Sequence, residues 1–121
     1  MFDLAIDSTS HELINEFYAE NKVIAAVCHG PAALAKVKLP SGYLLAGQPV
    51  TGFSNSEETA VGLLEAMPFS LEDELKAAGG KYEKTEDWGV KVVVANGGKL
   101  ITGQNPASAT SIGEAILKEI K

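Results

Sequence analysis

The apolar positions of this chain change rhythm several times, and each change predicts an element. Leu13, Ile14, Phe17 and Tyr18 fall on one helical face after Asp7-Ser8-Thr9, and Thr9 with Glu12 reads as the capping box that opens the helix. Val23-Ile24-Ala25-Ala26-Val27 follows as an unbroken apolar run, the pattern of a parallel strand covered on both faces. The run stops at Cys28-His29-Gly30-Pro31. Ala32 to Val37 is then predicted as helix, with Pro31 in its first turn.

Tyr43-Leu44-Leu45 and Val50-Thr51-Gly52-Phe53 read as short strands around the turn Gly47-Gln48-Pro49. Ser54 with Glu57 is a second capping-box pattern, predicting a helix whose buried stripe is Ala60, Leu63, Leu64 and Met67. Pro68 ends it, and Ser70 caps a short helix, Leu71 to Ala78, that stops at Gly79-Gly80. Val90 to Ala95 and Leu100 to Thr102 flank Asn96-Gly97-Gly98-Lys99, a hairpin signal. Asn105 as cap and Pro106 at the first helical position start a terminal helix with Ile112, Ile116 and Ile120 four apart.

This order predicts an α/β layout with a mostly parallel sheet. It contains a gap. A doubly covered strand at 23–27 needs hydrogen-bonding neighbours on each side, and Met1 to Asp7 is too short to supply an upstream βα unit. The sheet is therefore expected to be completed by another chain, or the sequence to begin partway through a domain.

Composition narrows the function classes. The 121 residues carry 10 Lys and no Arg against 16 acidic residues, a net charge of −6. That balance argues against nucleic acid and against an anionic membrane surface. The single cysteine excludes an internal disulfide framework and fits a reducing compartment. With no signal-peptide pattern and no long apolar run, a cytoplasmic protein is expected. One Cys and two His, His11 among them on a surface helix, do not form a closed ligand set, so no metal is expected.

Cys28 stands where a buried strand gives way to a helix, the edge at which open α/β sheets bind ligands. A helix N-terminus there would favour thiolate, and Gly30 would permit the sharp turn of a nucleophile elbow. In that reading Cys28 is the nucleophile, His29 shuttles protons, and a carboxylate holds the ring. Glu57 is already explained by its capping box, so Glu58 is the predicted third member. A cysteine after an apolar strand is also common as inert core, and that alternative stays open. Trp88, in Glu86-Asp87-Trp88-Gly89, is read as a lid over the core edge rather than a substrate contact.

Ala26-Val27-Cys28-His29-Gly30-Pro31-Ala32 resembles the nucleophile elbow of the ThiJ/PfpI superfamily. Val50-Thr51-Gly52-Phe53-Ser54-Asn55-Ser56-Glu57-Glu58 and Leu100-Ile101-Thr102-Gly103-Gln104-Asn105-Pro106-Ala107-Ser108 resemble its later motifs, in the same order. Together they are similar to the branch of chaperone-like and glyoxalase III proteins. The resemblance implies a flavodoxin-like, three-layer class I glutamine amidotransferase fold, with residues 1–121 as one domain lacking its N-terminal βα units. It implies Cys28 as nucleophile, His29 as its neighbouring histidine and Glu58 as the triad acid. In such relatives the first half supplies a further glutamate against the sulfur and a glycine-rich oxyanion loop.

For the complete protein, the resemblance implies a cofactor-free conversion of a small 2-oxoaldehyde, methylglyoxal, to D-lactate. Amide or peptide hydrolysis by the same thiol is the alternative enzyme reading. A chaperone, or a redox sensor in which Cys28 is oxidised, is the non-enzymatic one. Turnover by this chain is expected only with the first half present. Homo-oligomerisation, or pairing with that half, is expected from the resemblance and from the exposed strand.

Overall fold

A computed structural model describes all 121 residues. Helix α1 (Ser8–Ala19) leads into β1 (Ile24–Val27), and the two-residue strands β2 (Lys38–Leu39), β3 (Gly42–Tyr43) and β4 (Pro49–Val50) follow. Next come α2 (Asn55–Ala60), α3 (Leu71–Ala77) and β5 (Lys81–Tyr82), then β6 (Val92–Ala95), β7 (Leu100–Gly103) and α4 (Ala109–Ile120). The fold is α/β and flavodoxin-like. The central sheet has the order β1-β7-β6, with β1 parallel to β7 and β6 antiparallel to it. A second parallel pair joins β4 to β5.

The β6–β7 hairpin forms as its turn residues predict, pairing Val92 with Gly103 and Ala95 with Leu100. Strand β1 shows the expected gap and is less covered than its apolar run predicts. It is hydrogen-bonded on one side only, and Ile24 is buried while Ala25, Ala26 and Val27 are half-buried. As the short segment before α1 implies, no second neighbour comes from this chain, and one edge of β1 stays open.

Several predicted elements are corrected, each for a local reason. Asp7, not Thr9, caps α1, its side chain accepting from the Thr9 amide, and Leu13 and Phe17 on that helix remain exposed. The predicted helix 32–37 is a single 3-10 turn, Gly30–Ala33. Residues 43–45 do not pair with 50–53: β3 folds back on β2, and β4 takes β5. Helix α2 stops at Val61 because Gly62 turns left-handed, which leaves Leu63 and Leu64 on the surface. Asn105 does not cap the terminal helix. Its amide is used elsewhere, and α4 starts after a 3-10 turn at Pro106–Ser108, with Ile112 buried and Ile120 exposed.

The main core gathers Val37, Leu45, Val50, Leu71 and Leu75, which are essentially inaccessible. Gly52 fits closely into this packing. A Cβ there would lie 3.1 Å from Leu75 Cδ1 and 3.2 Å from Leu71 Cδ2. The close approach lets the segment after β4 run past the end of β1, where the Phe53 amide donates to Cys28 O at 2.8 Å.

Candidate active site

The site forms where β1 ends. Cys28 leaves the sheet with φ of 62°, a left-handed conformation rarely adopted by a residue with a side chain. Two backbone bonds hold it: its N–H donates to Gly103 O at 3.0 Å, and its carbonyl accepts from Phe53. The strain sits on the cysteine itself. A Cβ on Gly30 would meet nothing nearer than Ala26 Cβ at 3.4 Å, so the expected demand for glycine at position 30 is absent.

Half-buried Cys28 has its Sγ 3.5 Å from His29 Nδ1. His29 Nε2 donates to Glu58 Oε2 at 2.7 Å. A neutral imidazole protonated at Nε2 therefore presents a lone pair at Nδ1 to the thiol. Glu58 is 3% exposed, and its Oε1 is buried without a hydrogen-bond donor, so His29 is the hydrogen-bond partner of that carboxylate. The three residues named from the sequence are thus brought together by the end of β1 and the first turn of α2.

Burial pushes the Cys28 thiol above its ordinary value; the His29 amide lowers it, and the Glu57 and Glu58 charges raise it further. This corrects the expectation that a helix N-terminus stabilises thiolate, because one 3-10 turn stands there and two carboxylates oppose it. The arrangement suits a thiol that ionises by passing its proton to His29, with Glu58 stabilising the resulting imidazolium.

Glu57 is the residue whose part was under-read in the sequence. It is fully buried, and its carboxylate accepts five hydrogen bonds. Oε1 takes the Ser54 amide and hydroxyl and Gln104 Nε2; Oε2 takes the Trp88 amide and Asn105 Nδ2. Burial alone would raise its pKa, but these donors outweigh burial and hold it below the ordinary glutamate value. The available signal was Gln104-Asn105, two amides directly after an apolar strand, beside a capping box with one acid more than it needs. An aromatic row completes the site: His29 lies 4.5 Å from Phe53, which meets Trp88 edge-on at 5.6 Å. No group of three or more His, Cys, Asp or Glu side chains is arranged to hold a metal, and no helix is long and apolar enough to cross a membrane.

A strained cysteine turn at the end of a parallel strand, with histidine and a buried acid beside it, is set in a flavodoxin-like α/β fold. The DJ-1/PfpI family profile matches residues 3–119, and the chain belongs to that family. It is 34% identical over 126 residues to a probable glutathione-independent glyoxalase of Schizosaccharomyces pombe, covering 98% of this chain and 48% of that protein. The solved rapid encystment protein of Francisella tularensis superposes with a TM-score of 0.95 at 42% identity, over 99% of this chain and 53% of that one. Glyoxalase III of Candida albicans gives 0.88 at 27% identity, covering 97% and 51%. The chain spans about half the length of the curated relatives it matches.

Proposed function

We propose that this chain carries the nucleophile, proton shuttle and orienting acid of a cofactor-free, glyoxalase III-like lyase acting on small 2-oxoaldehydes. The observation that carries the reading is the continuous line from Cys28 Sγ through His29 to Glu58, with steps of 3.5 and 2.7 Å. Relatives named as glutathione-independent glyoxalases supply the substrate class.

In this reading His29 Nδ1 takes the Cys28 proton as the sulfur adds to the aldehyde carbon of methylglyoxal, giving a hemithioacetal. A proton then moves from that carbon to its neighbour through an enediol, leaving a thioester. Water releases lactate and restores the thiol. The sum is methylglyoxal plus water to lactate, with no external oxidant or reductant. Glu58 holds the imidazole and offsets its charge throughout.

The open edge of β1 is where we place the partner of this half-site. A further strand pairing there would complete the sheet beside Cys28 and extend the domain toward the length of its relatives. The test is chiral lactate analysis with methylglyoxal, alongside native mass measurement to show whether a second chain or second copy is bound. D-lactate formation that disappears in Cys28→Ala is expected. Equal D-lactate from wild type and Cys28→Ala would overturn the assignment, and release of amine from peptide amides without lactate would favour the hydrolase.

A further inference from the structure

The turn carrying Trp88 is strained and doubly pinned. Trp88 has φ of 63°, a conformation that bulky residues seldom take. Its amide donates to Glu57 Oε2 at 2.9 Å, while Asn105 Nδ2 bridges that same oxygen, at 2.8 Å, to Gly89 O at 2.7 Å. A fully buried carboxylate thus fixes the backbone on both sides of the indole. Backbone strain held in place by surrounding hydrogen bonds clusters at functional sites.

The pinned indole is 45% exposed and packs edge-on against Phe53, which is only 4% exposed. Phe53 in turn lies against the His29 ring. His29 is itself part-exposed and is held at its edges by one carboxylate oxygen and one sulfur. Its face is set by Phe53.

We propose that Glu57 and Trp88 are positioning residues for His29: the carboxylate fixes the Trp88 turn, the indole backs Phe53, and Phe53 keeps the imidazole aligned between thiol and Glu58. The inference rests on Cys28 and His29 as a working pair and extends that reading to two residues outside the triad. It also reverses the reading of Trp88 as a simple cover. A cover over the core edge, once removed, leaves modification of the sulfur unchanged or faster. A positioning residue, once removed, loosens the imidazole and slows it.

Because the chain has one cysteine and one tryptophan, both links are readable directly. Alkylation of Cys28 by iodoacetamide at pH 7 should slow about tenfold in Trp88→Ala and return to within about twofold of wild type in Trp88→Phe, with folded far-ultraviolet spectra throughout. Alkylation that is unchanged or faster in Trp88→Ala overturns the link to His29. In the unaltered protein, the Trp88 amide should exchange with solvent at least about a hundredfold slower than an open surface turn. Exchange at the open-turn rate overturns the link to Glu57. Neither measurement needs turnover, so a wild type that makes no lactate even with a partner strand bound would sink the glyoxalase reading while leaving this one decided on its own evidence.

Discussion

Glu57 and Glu58 are chain neighbours, both buried, and their carboxylates are partnered in opposite ways. Glu57 accepts five hydrogen bonds that tie α2 to the Trp88 turn and to the end of β7, whereas Glu58 meets only His29. The first is saturated and structural in its contacts. The second keeps its charge for one imidazole.

That difference separates their substitutions. Glu58→Gln keeps a side chain of the same shape but removes the charge that offsets an imidazolium. If the proposed lyase operates, kcat should fall about a hundredfold with little change in KM. Steady-state kinetics on methylglyoxal check it, and an unchanged kcat would remove Glu58 from the proton path.

Glu57 should instead appear in the acid limb of stability. Its folded-state pKa is depressed, so its contribution is complete above the unfolded value and is lost as pH falls through the folded one. Urea midpoints should hold steady above about pH 4.3 and decline below it. Glu57→Gln should be less stable near neutrality and show a flatter acid limb; a parallel limb in both proteins would refute the linkage.

The Cys28 thiol shifts in the other direction. Its folded value is raised by burial, with the two glutamate charges adding, so the rate of alkylation should inflect above the ordinary thiol range. The denatured chain should inflect lower. Coincident curves for folded and denatured protein would mean that the site does not perturb the sulfur.

Strain at Cys28 predicts an inversion of the usual ranking of alanine over glycine. With φ of 62°, Cys28→Gly relieves a conformation that Cys28→Ala retains, so the glycine variant should be more stable by about 1 kcal/mol. Urea unfolding of the two variants decides it. Equal stabilities would mean the turn relaxes.

The hairpin of β6 and β7 and the sulfur's place at the end of an apolar run were legible in the sequence, because Asn96-Gly97-Gly98 and Val23 to Val27 specify their conformations locally. The capping box at Ser54 was legible too, and the structure shows both of its bonds. The helix expected beyond it was not. Leu63 and Leu64 keep helical spacing, yet Gly62 breaks the backbone before they reach a core. Asn105 reads locally as a cap and Gln104 carries no local signal, whereas both serve a glutamate nearly fifty positions earlier. Local chemistry cannot announce a bond of that range. The pairing of β4 with β5 was illegible for the same reason, since two-residue strands leave almost no periodic signal.

The open edge of β1 ends one residue before the sulfur. Cys28 is fastened to β7 by the bond from its amide to Gly103, so any strand added on the far side would bear on the geometry of that turn. Occupancy of the edge and reactivity of the thiol then become linked quantities. Whatever factor a bound strand applies to sulfur reactivity through a shift in the thiolate equilibrium, ionisation of the sulfur must apply to the affinity for the strand. With such a strand bound, the cysteine would gauge what the sheet is holding.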